Sequence, residues 1–490
     1  MTTSVSGAPV QDAPANEGAK PSGTWKVGAL DPRVVKVLTL LAFSLPAVAY
    51  VAMLTHYQVN TIIADQWNDV DLIRANFAHF PDWSSLWSPH TNNRIFFPNL
   101  IVLALAHTVH FNIDVEEWLS ALMLFAATAL LIWCHKRRSP GTPLLFYCPI
   151  VFLTLTFAQW QNTLWGFQMA WYLVVLALAV TLAFLDRSQL TWPVFVLAVL
   201  AAVIGSYSSL QGLLIWPAGL VLLYHRRRQI WAIFAWVATA ILTTVFGYWF
   251  EIHAGSNASS YASAHPFQDV KFFFYALGDI VGAPLGFGAH ADGPVMVFGV
   301  SVFVVAVFAL VKWGIPRDDR SGAPIGMALI VFGLLFAAFI TENGVIFTPY
   351  GASASRYTTN DLLVLAGTYM VVLNGPVDPI RAGLRGRTAP VTGLAPVRDS
   401  TFLPRIHRKL LRRVTLALIV VQVVFSVHYG LQGARRNYQA NQAIVAVTRN
   451  VDHEPNSIVE WYFGAVLLKP PDWFRVRVHF LQEHHLALFG

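Results

Sequence analysis

The residues best equipped for chemistry lie in one stretch, 65–100, DQWNDVDLIRANFAHFPDWSSLWSPHTNNRIFFPNL. It carries Asp65, Asp69 and Asp71 with Trp67, then His90, Asn92, Asn93 and Arg94, in a chain otherwise dominated by Leu, Val, Ala and Phe. Two further polar sets interrupt later apolar runs: Gln159, Gln161, Asn162, Trp165 and Gln168, then Glu342, Asn343, Tyr350, Arg356 and Tyr357. Polar groups beside lipid are costly unless paired, wet or functional. A loop carboxylate can take a proton from an acceptor hydroxyl as a general base. The planar fork of an Arg can hold two phosphate oxygens. Trp and Tyr offer flat faces for sugar rings, and they also build the ordinary aromatic belt. Such a set needs no nucleotide if the donor already carries a good leaving group.

The elements that must position these residues follow from composition. Of 490 residues, 56% are hydrophobic and 12% charged, and the mean hydropathy is +0.53. Soluble domains carry about a quarter charged residues, and the apolar runs here reach membrane-spanning length. The fold class is therefore all-α and polytopic. The net charge of +7 comes from basic residues at segment ends, as the positive-inside rule expects, which excludes a nucleic-acid partner. Cys134 and Cys148 provide neither a disulfide framework nor metal-ligand spacing. The 16 His include no HxxxH or HExxH pair. No cofactor and no metal site are predicted, with the loop acids the one place where a divalent ion would fit.

Residues 1–30, rich in Ala, Pro, Ser, Gly and Thr, read as a disordered cytoplasmic tail. Lys26, Arg33 and Lys36 precede the run 37–54 and place the N-terminus inside. The run 95–111, broken by Pro98 and His107, has the look of a second span. If it crossed, the basic clusters 135–138, 226–228 and 381–413 would all fall outside. It is therefore read as an interfacial helix. About eleven spans result: 37–54, 118–133, 144–157, 170–185, 192–204, 212–224, 231–250, 295–311, 325–340, 361–373 and 414–427. The transmembrane domain is thus 31–428, its external loop 55–117, and 429–490 an extracytoplasmic α-helical cap. All three polar sets then face outward. No GxxxxGK[ST] and no strand-flanked GxGxxG occurs, and no internal repeat.

An acidic external loop after the first span, a following interfacial helix, a later external Arg-Tyr pair and a basic cytoplasmic collar resemble the GT-C superfamily of integral-membrane glycosyltransferases. Within it the chain most resembles bacterial members with an N-x-HR element, here His90-Thr91-Asn92-Asn93-Arg94-Ile95. An FQ turn (Trp165-Gly166-Phe167-Gln168), a GLL-x-WP-x-G segment (212–219) and an SRY-T element (355–358) are also similar. The resemblance covers most of 65–358, and each motif is short. Asn93 stands where a His is more usual, and Asp65 is isolated rather than part of a DD or DE pair. The resemblance implies a GT-C-like fold and transfer of a sugar from a polyprenyl-phosphate carrier to a glycan or lipid acceptor at the outer leaflet of a bacterial inner membrane.

On this reading Asp65 or Asp69 is the catalytic base. Arg356 with Tyr357, and Arg94, bind donor phosphate, while His90, Asn93, Trp67, Gln161, Gln168 and Glu342 contact substrate. Each has a plainer alternative. Asp69 and Asp71 suit a solvated loop or a helix N-terminus, Arg94 can anchor a helix by snorkelling, and the amides can pair helix to helix. An outward Arg356 runs against the positive-inside bias and so asks for an anion. The rival class is a transporter or flippase, which would place ionisable groups at mid-membrane. An O-acyltransferase would need a membrane-embedded His, for which His107 and His110 are the candidates.

Overall fold

The computed structural model describes residues 31–226, 228–254, 265–282, 292–314, 323–344, 349–373, 402–464 and 468–490. The tail 1–30 and most of the basic loop before residue 402 lie outside them. Helix dominates, because a chain in lipid must satisfy its backbone groups internally. The longer helices are α1 (Pro32–Tyr57), α2 (Trp67–Ala78), α3 (Phe96–Val109), α4 (Ile113–Arg138), α5 (Met169–Leu185), α6 (Trp192–Ser206) and α7 (Ile215–His225). They continue as α8 (Ile230–Ala254), α9 (Pro266–Gly278), α10 (Asp292–Ala309), α11 (Ala323–Gly344), α12 (Ser355–Leu373), α13 (Phe402–Arg449) and α14 (Pro471–Glu483). The strands among the described residues form one hairpin, β1 (Pro89–His90) with β2 (Asn93–Arg94), in register Pro89↔Arg94 and His90↔Asn93.

Among the described residues eight helices are long and apolar enough to cross a membrane. They coincide with eight of the expected spans. The other three fall on α6, on 210–225 and on α12. The first two are shorter, and α12 opens with the polar run Ser355-Arg-Tyr-Thr-Thr-Asn-Asp361. The bundle core is apolar and close: Gly326 of α11 and Gly367 of α12 face each other so tightly that a Cβ on either would strike the other's carbonyl. Small residues at such crossings let helices approach where lipid supplies no hydrophobic drive.

One end of the bundle is basic and clamped. Asp186, at the C-terminus of α5, is wholly buried and pairs with Arg137 (2.6 Å) and Arg138 (3.0 Å) from α4 and with Arg226 (2.5 Å) after α7. Beside it the ring of His135 meets Tyr147 Oη at 2.8 Å and the Met370 carbonyl at 2.9 Å, and Arg408 donates to the Val371 carbonyl at 3.0 Å. The ends of α4, α5, α7, α12 and the beginning of α13 therefore meet.

The opposite end carries the polar loops. Both ends of α3 belong to it: Phe97 N donates to Tyr207 O beyond α6, and Ala487 N donates to His110 O. Asn60, just past α1, donates to the Ala487 carbonyl (3.1 Å) and accepts from Ile113 N (3.0 Å). Helix α13 continues unbroken from the basic end to this one, where Gly430 and Gly433 press on Phe157 and Trp160. Its continuation, α14, then folds back against α2.

The Arg226 side chain is 2% exposed and its carboxylate partner is wholly buried. Removing one member of such a pair leaves an uncompensated buried charge, at a cost of about 3–5 kcal/mol. Asp186→Ala should lower stability by that amount in a denaturant titration of the detergent-solubilised chain. A loss below about 1 kcal/mol would mean that the three arginines find other partners.

Candidate active site

The loop between α1 and α4 is held from several sides. In the hairpin, Asn93 Oδ1 accepts from Ser209 Oγ and from Leu210 N, both at 2.9 Å. Arg94 is buried; its Nε donates to Gly247 O at 2.7 Å, another guanidinium nitrogen donates to Trp87 O, and the group lies 5.3 Å from the Trp87 ring centre. At the other edge Asp71 of α2 takes a double ion pair from Arg477 of α14 (2.6 and 2.8 Å). The loop is thus fastened to α6–α7, to α8 and to the C-terminal cap.

A carboxyl cluster sits inside this frame. Asp65 lies in the Ala64–Gln66 turn with its side chain 37% exposed, and His90 Nε2 stands 3.8 Å from it. Asp69, one turn on in α2, is only 3% exposed, and its Oδ2 has no hydrogen-bond partner. Burial raises the Asp69 carboxyl well above the ordinary 3.8, and the nearby charges of Glu116 and Asp65 push it the same way. Glu116, in the first turn of α4, accepts from Gln66 Nε2 at 2.8 Å while its Oε1 is unpartnered. Asp69 and Glu116 line one narrow cleft with Asn99, Phe167 and Met169.

The turn 157–168 borders that cleft and reaches the third polar set. Gly166 packs on the Glu116 carboxyl so closely that a Cβ there would displace it. Phe167 sits edge-on to His90, ring centres 5.0 Å apart. A few residues earlier, Gln161 Oε1 accepts from Arg356 N (3.1 Å), and Asn162 Nδ2 donates to Arg356 O (2.8 Å) and Thr359 Oγ1 (2.7 Å). Ser355 Oγ donates to Ala158 O (2.6 Å). The Arg356 backbone is therefore fixed while its guanidinium lies over Tyr357, 5.1 Å from the ring centre. Among the described residues no carboxylate is within ion-pair distance of it.

No protein-family model matches the chain, and neither the curated proteins nor the solved structures contain a match to it. The site rests on its own geometry.

Of the predicted residues, Asp65, Asp69 and His90 come together, and Gln161 joins Arg356 and Tyr357. Three others have structural posts. Trp67 is 1% exposed and edge-on to Phe463 and Phe474, so it packs the cap instead of offering an open face. Arg94 spends hydrogen bonds on carbonyls, which makes it an anchor of the hairpin instead of a free phosphate fork. Asn93 is a latch to 209–210, and its amide oxygen is occupied. Glu342 is exposed on a separate groove with Asp269 and Thr341. Gln168 is buried beside the cleft with its amide oxygen unpartnered. The side chains of Asn343 and Tyr350 lie outside those described. Two acids outside the predicted set, Glu116 and Glu117, are buried at the head of α4. Their signal in the sequence is three acids in Ile113-Asp-Val-Glu-Glu-Trp118, more than a helix N-terminus beside lipid needs. Among the described residues no three His, Cys, Asp or Glu side chains are arranged to hold a metal ion.

A carboxyl raised in the folded state binds a proton there that the unfolded chain gives up above the ordinary value of 3.8. Its contribution to stability is complete below that pH and falls as pH rises toward the folded value. Asp69→Asn should therefore raise the thermal midpoint at pH 7, with the gain fading toward pH 4. Scans across pH 4–8 in detergent check this; a variant destabilised at pH 7 would mean that Asp69 is an ionised, well-supported carboxylate.

Proposed function

We propose that the chain is a GT-C-type membrane glycosyltransferase. It transfers a sugar from a polyprenyl-phosphate donor to a glycan or lipid acceptor of the bacterial cell envelope, at the outer face of the inner membrane. The observation that carries this reading is the turn 157–168, which joins a carboxyl cluster on one side to Arg356 on the other. A base for the acceptor and a cation for the leaving phosphate are the two groups such a transfer requires.

Asp65 is the better base of the two candidates because it is partly exposed and stands beside His90. Asp69, buried and with its carboxyl raised by that burial, is the less accessible member of the cluster. The Asp65 carboxylate takes the acceptor hydroxyl proton as that oxygen bonds to the anomeric carbon. The bond from that carbon to the phosphate oxygen breaks, and the electron pair leaves with polyprenyl phosphate toward the Arg356 guanidinium. In-line displacement inverts the anomeric centre. General-base assistance contributes typically 10²–10⁴-fold.

Ion-coupled transport is the second reading, favoured by one observation: α12 carries the wholly buried Asp361. The two readings separate on product. Purified protein, given a panel of polyprenyl-phosphate sugars and an envelope lipid extract, should release free polyprenyl phosphate. Asp65→Asn should lower the release rate by about 10²-fold or more, and Arg356→Gln should lower it as well. Release unaffected by Asp65→Asn moves the base elsewhere. No release, with labelled substrate crossing a liposome, replaces the transferase with a transporter.

A further inference from the structure

A second group of buried polar side chains stands apart from this site. Asp279 lies in the turn Asp279–Val281 after α9, Thr358 and Asp361 in α12, and Gln422 in α13. All four are at least 97% buried. Gln422 Nε2 donates to the Ile280 carbonyl at 2.9 Å and to Thr156 Oγ1 at 3.0 Å, which fixes its amide beside the turn that carries Asp279. The oxygen of that amide has no partner. Nor has either carboxylate oxygen of Asp361, Oδ1 of Asp279 or the hydroxyl of Thr358, which is one helical turn before Asp361 on the same face of α12. The turn that carries Asp279 packs against both α12, which carries Asp361, and α13, which carries Gln422.

Every unpartnered atom in this group is an oxygen, and among the described residues no Lys, Arg or His pairs with either Asp. Buried polar atoms without partners call for a bound water or ion, and two like charges brought together out of water call for a positive one. We propose that Asp279 and Asp361, supported by the oxygens of Gln422 and Thr358, form a binding site for a hard metal cation inside the helix bundle. Oxygen donors without sulfur or imidazole select ions such as Ca²⁺, Mg²⁺ or Na⁺. A divalent ion neutralises both carboxylates; a monovalent one does so when a single carboxyl keeps its proton. The site ties the turn Asp279–Val281 to α12 and reinforces the Gln422–Ile280 hydrogen bond that already joins that turn to α13. It does not rest on the transferase reading, although Thr358 and Asp361 share α12 with Arg356.

The test uses the full chain in detergent, stripped with chelator and held in choline chloride. Tryptophan fluorescence reports the thermal midpoint as CaCl₂, MgCl₂ or NaCl is titrated at constant ionic strength. At least one of the three should raise the midpoint saturably, and the ion that does so names the charge of the site. Asp361→Asn and Asp279→Asn should each weaken that response at least tenfold in ion concentration, whereas Asp69→Asn should leave it intact. Should Asp361→Asn fail to fold, Asp279→Asn decides alone. No response to any of the three salts overturns the proposal, as does a response that survives in the Asp279 and Asp361 variants or disappears with Asp69→Asn.

Discussion

The hydrogen bonds from Gln161 and Asn162 to the first turn of α12 hold the loop end together. Gln161 Oε1 accepts from Arg356 N, an N–H at the helix start that has no partner within the helix, while Asn162 Nδ2 donates to Arg356 O and Thr359 Oγ1. Gln159 adds a further link, its Oε1 accepting from Thr359 Oγ1 at 2.7 Å. Because these partners are more than 190 residues apart in sequence, they fasten the first half of the bundle to the second. They set the level of the turn 157–168, and through Gly166 and Phe167 they set where Glu116 and His90 stand. The carboxyl cluster and Arg356 are related by this one seam.

The helical architecture was plain in the chain because lipid enforces it: apolar runs of spanning length can be read one residue at a time. The non-crossing assignment of 95–111 came from charge bookkeeping alone, and the contacts at Phe97 and His110 tie both ends of that helix to the loop end. Residue roles were harder to read. Trp67 and Arg94 have the right types for sugar and phosphate, yet pairing with Phe474 and Gly247 depends on chain hundreds of residues away in one case and over 150 in the other. Glu116 is hidden in a helix start where acids are commonplace, and only the approach of Gly166 and Gln66 gives it a place.

Buried charge is handled in two opposite ways within one molecule. Asp186 is surrounded by three guanidinium groups, so its negative charge is strongly compensated and the arginines are compensated in turn. Asp69, Glu116, Asp279 and Asp361 have no basic neighbour within ion-pair distance among the described residues. The first arrangement favours one fixed assembly of helix ends. The second leaves carboxyls whose charge state responds to what arrives, which is the property expected of groups that act on something.

Helix α13 runs 48 residues without interruption. At 1.5 Å per residue it is about 70 Å long, more than twice the roughly 30 Å of a hydrocarbon core. Its C-terminal half therefore works as a mast that carries α14 and the final turns at the loop end of the bundle. Arg477 at the far end of that rod grips Asp71, so the rod carries one of the three fastenings of the Asp65 loop, beside those of Asn93 and Arg94. Lengthening that rod by a turn would displace α14 by about 5.4 Å along its axis and set the Arg477–Asp71 fastening against those made by Asn93 and Arg94.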